Sequence, residues 1–394
     1  MIITRRTALA GTAALLAAPP ARAAAPVKIG LIVTLSGPFA SSGDIMQKAA
    51  TLYLKTQAAS VLKGREVSLV IRDDTGPNPE VAKRLVQELV ARERVQALVG
   101  FQWTPNANAV APLLNQAKIP CVLTNASGAE TTRLSPWFIR TSFTLWQESL
   151  PLGKWAAGRG YKRAYVLVTD FSPGMDASSA FTMGFTGAGG TIADTVRMPI
   201  QNPNFLPYLQ RARDAKPDVV FAFNPGGSQA SAFVKAYAEL DFPAAEVKLI
   251  GTQDIVIDEE LVHTGADAVG IITAGNYSAS ADRPANKAFI EAWRAAYGAD
   301  GPAPNFMACA TWDGMHAICS AIAAADDAGQ MMDALSHFST PDSPRGPIHI
   351  DPATRDIMQN IYIREVRMVD GMPANIEFDT IPDVKDPWKE LHPA

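Results

Sequence analysis

The chain has 394 residues, 47% apolar and 19% charged, an ordinary globular balance with length enough for two domains that each bury a full core. Formal net charge is −4, but residues 1 to 23 carry three arginines and no acid, so a mature chain starting after them has 32 basic against 39 acidic residues, or −7. That balance argues against a nucleic-acid partner. Three cysteines (Cys121, Cys309 and Cys319) supply neither a disulfide framework nor a cysteine-built zinc site.

Residues 1–25 read as an export signal rather than fold. Arg5 and Arg6 make a positive start, Ala8 to Ala18 is small and apolar, and Ala21-Arg22-Ala23 is a small-x-small cleavage pattern. Thr4-Arg5-Arg6-Thr7-Ala8-Leu9 is similar to a twin-arginine signal, with a general secretory signal as the alternative. Cleavage is expected near Ala24. No later run reaches the roughly 20 apolar residues that span a bilayer, so the mature chain is expected as a soluble periplasmic protein.

From Val27 onward short β-rich runs alternate with helical patterns, the signature of parallel sheets with crossover helices. Strands are expected at Val27 to Thr34, Val67 to Arg72, Val95 to Gly100, Pro120 to Thr124, Ala164 to Thr169, Asp218 to Phe223, Val247 to Gly251 and Val269 to Thr273. Several are apolar throughout, as sheets covered on both faces require. Helices are expected at Ile45 to Ser60, Asn78 to Glu93, Asn106 to Gln116, Leu150 to Gly158, Gly174 to Phe185 and Gln229 to Leu240. After Asn276 come two long helical stretches (Ala285 to Tyr297, Phe306 to Ala325), a hairpin-like pair (Pro347 to Ile350, Asn360 to Val366) and a Pro/Asp-rich tail.

Ligands of open parallel sheets sit beyond the carboxyl ends of the strands, so the segments after each strand are where a site is expected. Leu35-Ser36-Gly37-Pro38-Phe39-Ala40 reads either as an anion-accepting strand-to-helix turn or as a tight turn alone. In Gly100-Phe101-Gln102-Trp103-Thr104-Pro105-Asn106 the hydroxyl of Thr104 is a candidate helix cap, while two large rings on the loop need something to cover. Asn125-Ala126-Ser127-Gly128 offers amides and a hydroxyl without filling a crevice.

These segments in this order resemble the extracytoplasmic solute-binding proteins of the leucine/isoleucine/valine type, which serve ABC importers. The resemblance runs from Val27-Lys28-Ile29-Gly30-Leu31 through Asp73-Asp74-Thr75, Ile119-Pro120-Cys121-Val122, Phe138-Ile139-Arg140-Thr141 and Asp170-Phe171-Ser172-Pro173-Gly174 to Pro284-Ala285-Asn286-Lys287-Ala288-Phe289. It implies a Venus-flytrap protein with two Rossmann-like lobes of parallel-sheet core joined by three crossovers. By order, these fall near Phe143, Ala274 to Tyr277 and Pro344 to Pro347. Lobe 1 is then 26–143 with 275–345, and lobe 2 is 144–274 with 346–394.

The resemblance also implies that Thr104 and Ser127 bind a ligand carboxylate, with backbone contacts from Asn125 and Ala126. Where the family often has a tyrosine this chain has Pro173, with Phe171 beside it. The acid that often holds a ligand ammonium is displaced or replaced in Thr252-Gln253-Asp254, which speaks against an α-amino acid. Phe101, Trp103, Phe143, Trp146 and Phe171 fall in segments expected to face the cleft, a richer set of rings than a short aliphatic ligand needs. Ser36, Phe39, Asn224, Asp254 and Tyr277 complete the candidate contacts. The ligand expected is an aromatic or bulky apolar carboxylate, or else a branched-chain amino acid, with the permease of an ABC importer as membrane partner, no cofactor, and a monomeric state.

Two other readings use the same residues. Phe223-Asn224-Pro225-Gly226-Gly227-Ser228-Gln229-Ala230 places Ser228 where a hydrolase nucleophile sits, with His349 as its histidine, but Ala230 stands where that motif has glycine. A ligand-sensing receptor domain shares the fold, though the sequence shows neither a span nor an output domain. The five histidines have no paired spacing for a metal, and Gly187-Ala188-Gly189-Gly190 precedes a strand, so it reads as a turn rather than a phosphate loop.

Overall fold

The computed structural model describes residues 26–242 and 246–393; the expected export signal lies outside the described residues. Five strands, β1 (Val27–Val33), β2 (Val67–Asp73), β3 (Ala97–Gly100), β4 (Cys121–Leu123) and β5 (Phe138–Arg140), form a wholly parallel sheet of order β2-β1-β3-β4-β5. Alternation along each strand sends side chains to opposite faces. Leu31, Val33, Val99 and Val122 pack with the helices Ala40–Thr56 and Phe306–Ala324. Ile32, Leu98, Cys121 and Leu123 pack with the helices Pro79–Glu88 and Thr104–Ala117. Burial on both faces is what the apolar runs imply.

The second sheet is mixed. Its parallel core of β6 (Arg163–Thr169), β7 (Thr191–Met198), β8 (Val219–Phe223), β9 (Lys248–Thr252) and β10 (Ile272–Gly275) runs in the order β10-β9-β8-β6-β7. Beyond β10 come β11 (Ser339–Thr340), β12 (Ile348–Asp351), β13 (Asp356–Val369) and β14 (Met372–Val384), with β13 antiparallel to β10, β12 and β14. Helices Leu145–Gly158 and Ser172–Gly187 cover one face and Leu206–Asp214 and Ser228–Glu239 the other.

The expected strands form, with ends shifted by up to four residues. Helix Leu145–Gly158 starts five residues earlier than the apolar pattern suggests, because Thr144 and Gln147 close a capping box. The Pro/Asp-rich tail contributes a strand: β14 pairs along β13 despite Pro373 and Pro382, which an edge strand tolerates. Gly187 ends a helix and Thr191 opens β7, so the glycine cluster is indeed a turn. Cys309 and Cys319 lie buried on one helix, and Cys121 is buried in β4.

The segments that leave β5 and β10 meet the loop between β11 and β12 in a buried polar knot. The carbonyl of Ser142 accepts from Asn276 Nδ2 at 3.1 Å, Arg345 Nη1 at 3.1 Å and Gln359 Nε2 at 2.8 Å. Arg345 also pairs with Asp313 at 2.7 Å and donates to the Thr141 carbonyl at 2.6 Å.

Candidate functional site

At the carboxyl ends of both sheets Gln102, Trp103, Thr104, Asn125 and Ser127 face Phe171, Pro173, Phe223, Pro225 and Asp254 across a cavity of about 20 Å³. That volume holds about one water molecule, so a larger ligand requires the two walls to part. The first wall is shaped by the end of β3. Gly100 has φ +117 and Phe101 φ +62; a Cβ at Gly100 would lie 2.2 Å from the Ile32 carbonyl oxygen. This turn drives the Phe101 ring into the core and presents Gln102, Trp103 and Thr104 to the cavity.

Hydrogen bonds fix that wall. Trp103 Nε1 donates to Thr34 Oγ1 at 2.8 Å, Thr34 donates to Asp74 at 2.6 Å, and Asn106 Nδ2 donates to the other Asp74 oxygen at 2.9 Å. Thr104 does not cap its helix; it is the first helical residue, and its hydroxyl accepts the Gly128 amide at 3.1 Å, leaving its own proton to donate. Arg140 Nη2 holds the Gly128 carbonyl at 2.6 Å, and Asp176, from the opposite wall's helix, accepts the Ala129 amide at 2.9 Å.

Helices Thr104–Ala117 and Ser172–Gly187 both open at the cavity with proline in the first turn, no acidic residue there and no capping side chain. Their N-terminal amides favour an anion. Both amide atoms of Gln102, Oδ1 of Asn125 and Nδ2 of Asn224 are buried without a hydrogen-bond partner, although these residues are only 4%, 9% and 0% exposed. Such orphaned groups are costly unless something bonds them. Trp103 tilts toward Phe171 at 6.4 Å between centroids, and Phe171 stacks on Phe223 at 5.8 Å. Asp254 accepts from Thr252 Oγ1 at 2.9 Å; burial pushes its carboxyl up to about 7.

Of the candidate contacts, Trp103, Thr104, Asn125, Ser127, Phe171 and Asp254 thus share one cavity, and the acid read as displaced stands on its wall. Phe39 sits behind Trp103, edge-on at 4.6 Å. Asn224 lies between the lining residues Phe223 and Pro225 and accepts the Gly226 amide at 3.3 Å. The structure does not bring the others to the cavity. Phe101, Phe143 and Tyr277 are core, Phe143 packing on Phe306 at 5.5 Å and Tyr277 bonding Asn286 at 2.9 Å. Trp146 packs on Ala129 and Ala180 and donates to Asp176. Ala126 spends its amide on the Phe101 carbonyl, and Ser36 is exposed on the turn before Gly37. Gln102, Pro173, Phe223 and Pro225 were not among the candidates; each lies at or just after a strand end, where the strand-end rule itself points.

Ser228 donates to the Pro38 carbonyl at 3.3 Å, and His349 Nδ1 lies 3.8 Å from Asp383; among the described residues no hydrogen bond joins Ser228 to His349. Among the described residues no three His, Cys, Asp or Glu side chains are grouped to hold a metal, and no helix is long and apolar enough to cross a membrane.

Two lobes built on parallel-sheet cores and facing each other across an anion-ready cavity define a type I periplasmic binding protein. The chain belongs to this family, whose model, described as periplasmic binding protein, matches residues 26–371. It is 38% identical over 388 residues to "Leu/Ile/Val-binding protein homolog 6" of Brucella abortus (strain 2308), covering 97% of this chain and 98% of that protein. The solute-binding protein of an ABC transporter from Rhodopseudomonas palustris BisB5, in complex with 3,4-dihydroxybenzoic acid, matches with TM-score 0.88 and 41% identity over 92% of this chain and 99% of that one. A second R. palustris solute-binding protein, in complex with 4-hydroxybenzoate, matches with TM-score 0.88 and 38% identity over 92% and 98% of the two chains.

Proposed function

We propose that this chain is the substrate-binding component of an ABC importer that captures an aromatic carboxylate between its lobes. The observation that carries this is the ring slot: Trp103 on one wall faces Phe171 and Phe223 on the other, flanked by the Thr104 and Ser127 hydroxyls and two helix N-termini. The carboxylate takes its hydrogen bonds from the hydroxyl end, and the ring stacks between the walls, each such pair contributing roughly 0.5 to 1.5 kcal/mol beyond its area. Asp254, whose carboxyl is pushed up to about 7 by burial, accepts or donates a hydrogen bond to a ring substituent. The benzoate complexes of the R. palustris neighbours support this reading. A branched-chain amino acid is the second reading, favoured by the Brucella relative's name and by Asp254 as a partner for an ammonium.

In this reading lobe 1 is 26–143 with 275–345 and lobe 2 is 144–274 with 346–394, except that Ser339–Thr340 already pairs with β12 of the second sheet, which moves the third passage ahead of residue 339. The chain reaches the periplasm on its twin-arginine-like signal, acts as a monomer on one ligand without chemistry, and delivers it to a membrane permease. A thermal-shift screen tests it: benzoates should raise the melting temperature through selective binding to the native state, and leucine, isoleucine and valine should do so less. The reverse order would favour the amino-acid reading.

A further inference from the structure

Away from the ligand cavity the two lobes also touch along a polar seam. From the first lobe it takes the turn Pro38–Phe39, Ser41 and Ser42 at the start of helix Ala40–Thr56, and Asn305, which caps helix Phe306–Ala324. The second lobe contributes Gly227, Ser228 and the short helix Asp258–Thr264. Ser42 Oγ donates to Glu259 Oε1 at 2.9 Å and Asn305 Nδ2 to Glu259 Oε2 at 2.8 Å, so both carboxyl oxygens of Glu259 are engaged from the opposite lobe. Beside it Ser41 donates to Glu260 at 3.1 Å, and Ser228 donates to the Pro38 carbonyl. Gly227 lets the chains meet this closely: at φ +61, a Cβ there would lie 2.8 Å from the Pro38 carbonyl oxygen. Phe39, in the same turn, is the ring edge-on to Trp103 of the cavity, which joins the seam to the site.

We propose that Glu259 is a positioning residue for ligand capture, forming with Ser42 and Asn305 a latch that holds the lobes shut over a ligand it does not touch. This assigns the Gly226-Gly227-Ser228 turn to lobe contact rather than to catalysis, and it rests on the reading that the lobes close on a ligand. Glu259 is 4% exposed with the lobes together; parting them returns its carboxyl to water and breaks both bonds.

The latch carries a pH signature. Burial pushes the Glu259 carboxyl up to about 8, Asp258 on its own helix acting in the same direction and the hydrogen bonds from Asn305 and Ser42 against it. The groups facing it from the first lobe, Ser42 and Asn305, are neutral; Glu260 is its helix neighbour, and His263, Arg294 and Asp300 share the outer groove. A carboxyl whose affinity for protons rises on closure favours the closed form at low pH, and that advantage is lost as pH rises toward about 8.

The test uses the full mature chain with 4-hydroxybenzoate as probe, comparing wild type, E259A, S42A and the double variant by calorimetry and small-angle scattering. E259A and S42A should each weaken binding by about tenfold, and the double variant by less than the product, because the two remove one contact. The weakening caused by E259A should shrink as pH is raised from 6 to 9. Single variants that bind like wild type, or effects that multiply independently, overturn the latch. If wild type does not bind 4-hydroxybenzoate, the proposed ligand is wrong, and the latch is judged on the ligand-free radius of gyration: E259A must be the larger, and equal radii overturn it.

Discussion

At the residue scale, one donor set and one acid decide what the cavity holds. The hydroxyls of Thr104 and Ser127 stand with the unpartnered Gln102 amide as side-chain donors on the first wall, and T104A and S127A should each cost about 1–3 kcal/mol of 4-hydroxybenzoate binding; calorimetry showing both variants at wild-type affinity would place the carboxylate elsewhere. Asp254, raised to about 7, ionises as pH rises through that value and then repels a bound carboxylate. Affinity for 4-hydroxybenzoate should therefore fall between pH 6 and 8, less steeply in D254N than in wild type, whereas an amino acid whose ammonium sat on Asp254 would gain affinity over the same range. Titrations at three pH values separate the two. The strand-end rule made Thr104, Ser127, Trp103 and Phe171 legible in the sequence. It failed for Phe101 because the backbone, not the residue type, aims that ring: the positive φ of Gly100 and Phe101 turns it inward. Phe143 and Tyr277 look like cleft aromatics by position yet fill core between helices.

At the element scale, legibility followed apolar patterning. Doubly covered strands such as β3, β4 and β8 are buried along their whole length and stand out as continuous apolar runs. By contrast β7 reads Thr191-Ile-Ala-Asp-Thr-Val-Arg-Met198 and lies largely exposed at a sheet edge, so it has no apolar run to show. β14 carries prolines and acids because it too is an outer strand. The connections depend on contacts between residues far apart in sequence, which no local pattern announces. Arg345 and Asp313 are each 1% exposed, and removing one partner of such a pair leaves the other charged and buried. R345M should lower stability by about 3–5 kcal/mol, read as a lower urea midpoint; a change below about 1 kcal/mol would show that the knot is not what secures the passages.

At the scale of the whole molecule, two sheets that share one continuous apolar cluster, from Leu31 and Val99 of the first to Val166 and Phe221 of the second, are tied by the knot on one side and face each other across the cavity and the seam. The cavity's size requires that entry of any ligand larger than water part the walls, and contacts divided between two lobes favour closure only through their extra affinity for the closed form. Capture without chemical change is the account's central claim, and titration calorimetry of the mature protein with 4-hydroxybenzoate and with leucine, followed by recovery of the ligand, tests it most directly. The account predicts one 4-hydroxybenzoate per chain, bound more tightly than leucine and recovered intact; tighter binding of leucine, or a ligand returned as a different compound, would contradict it.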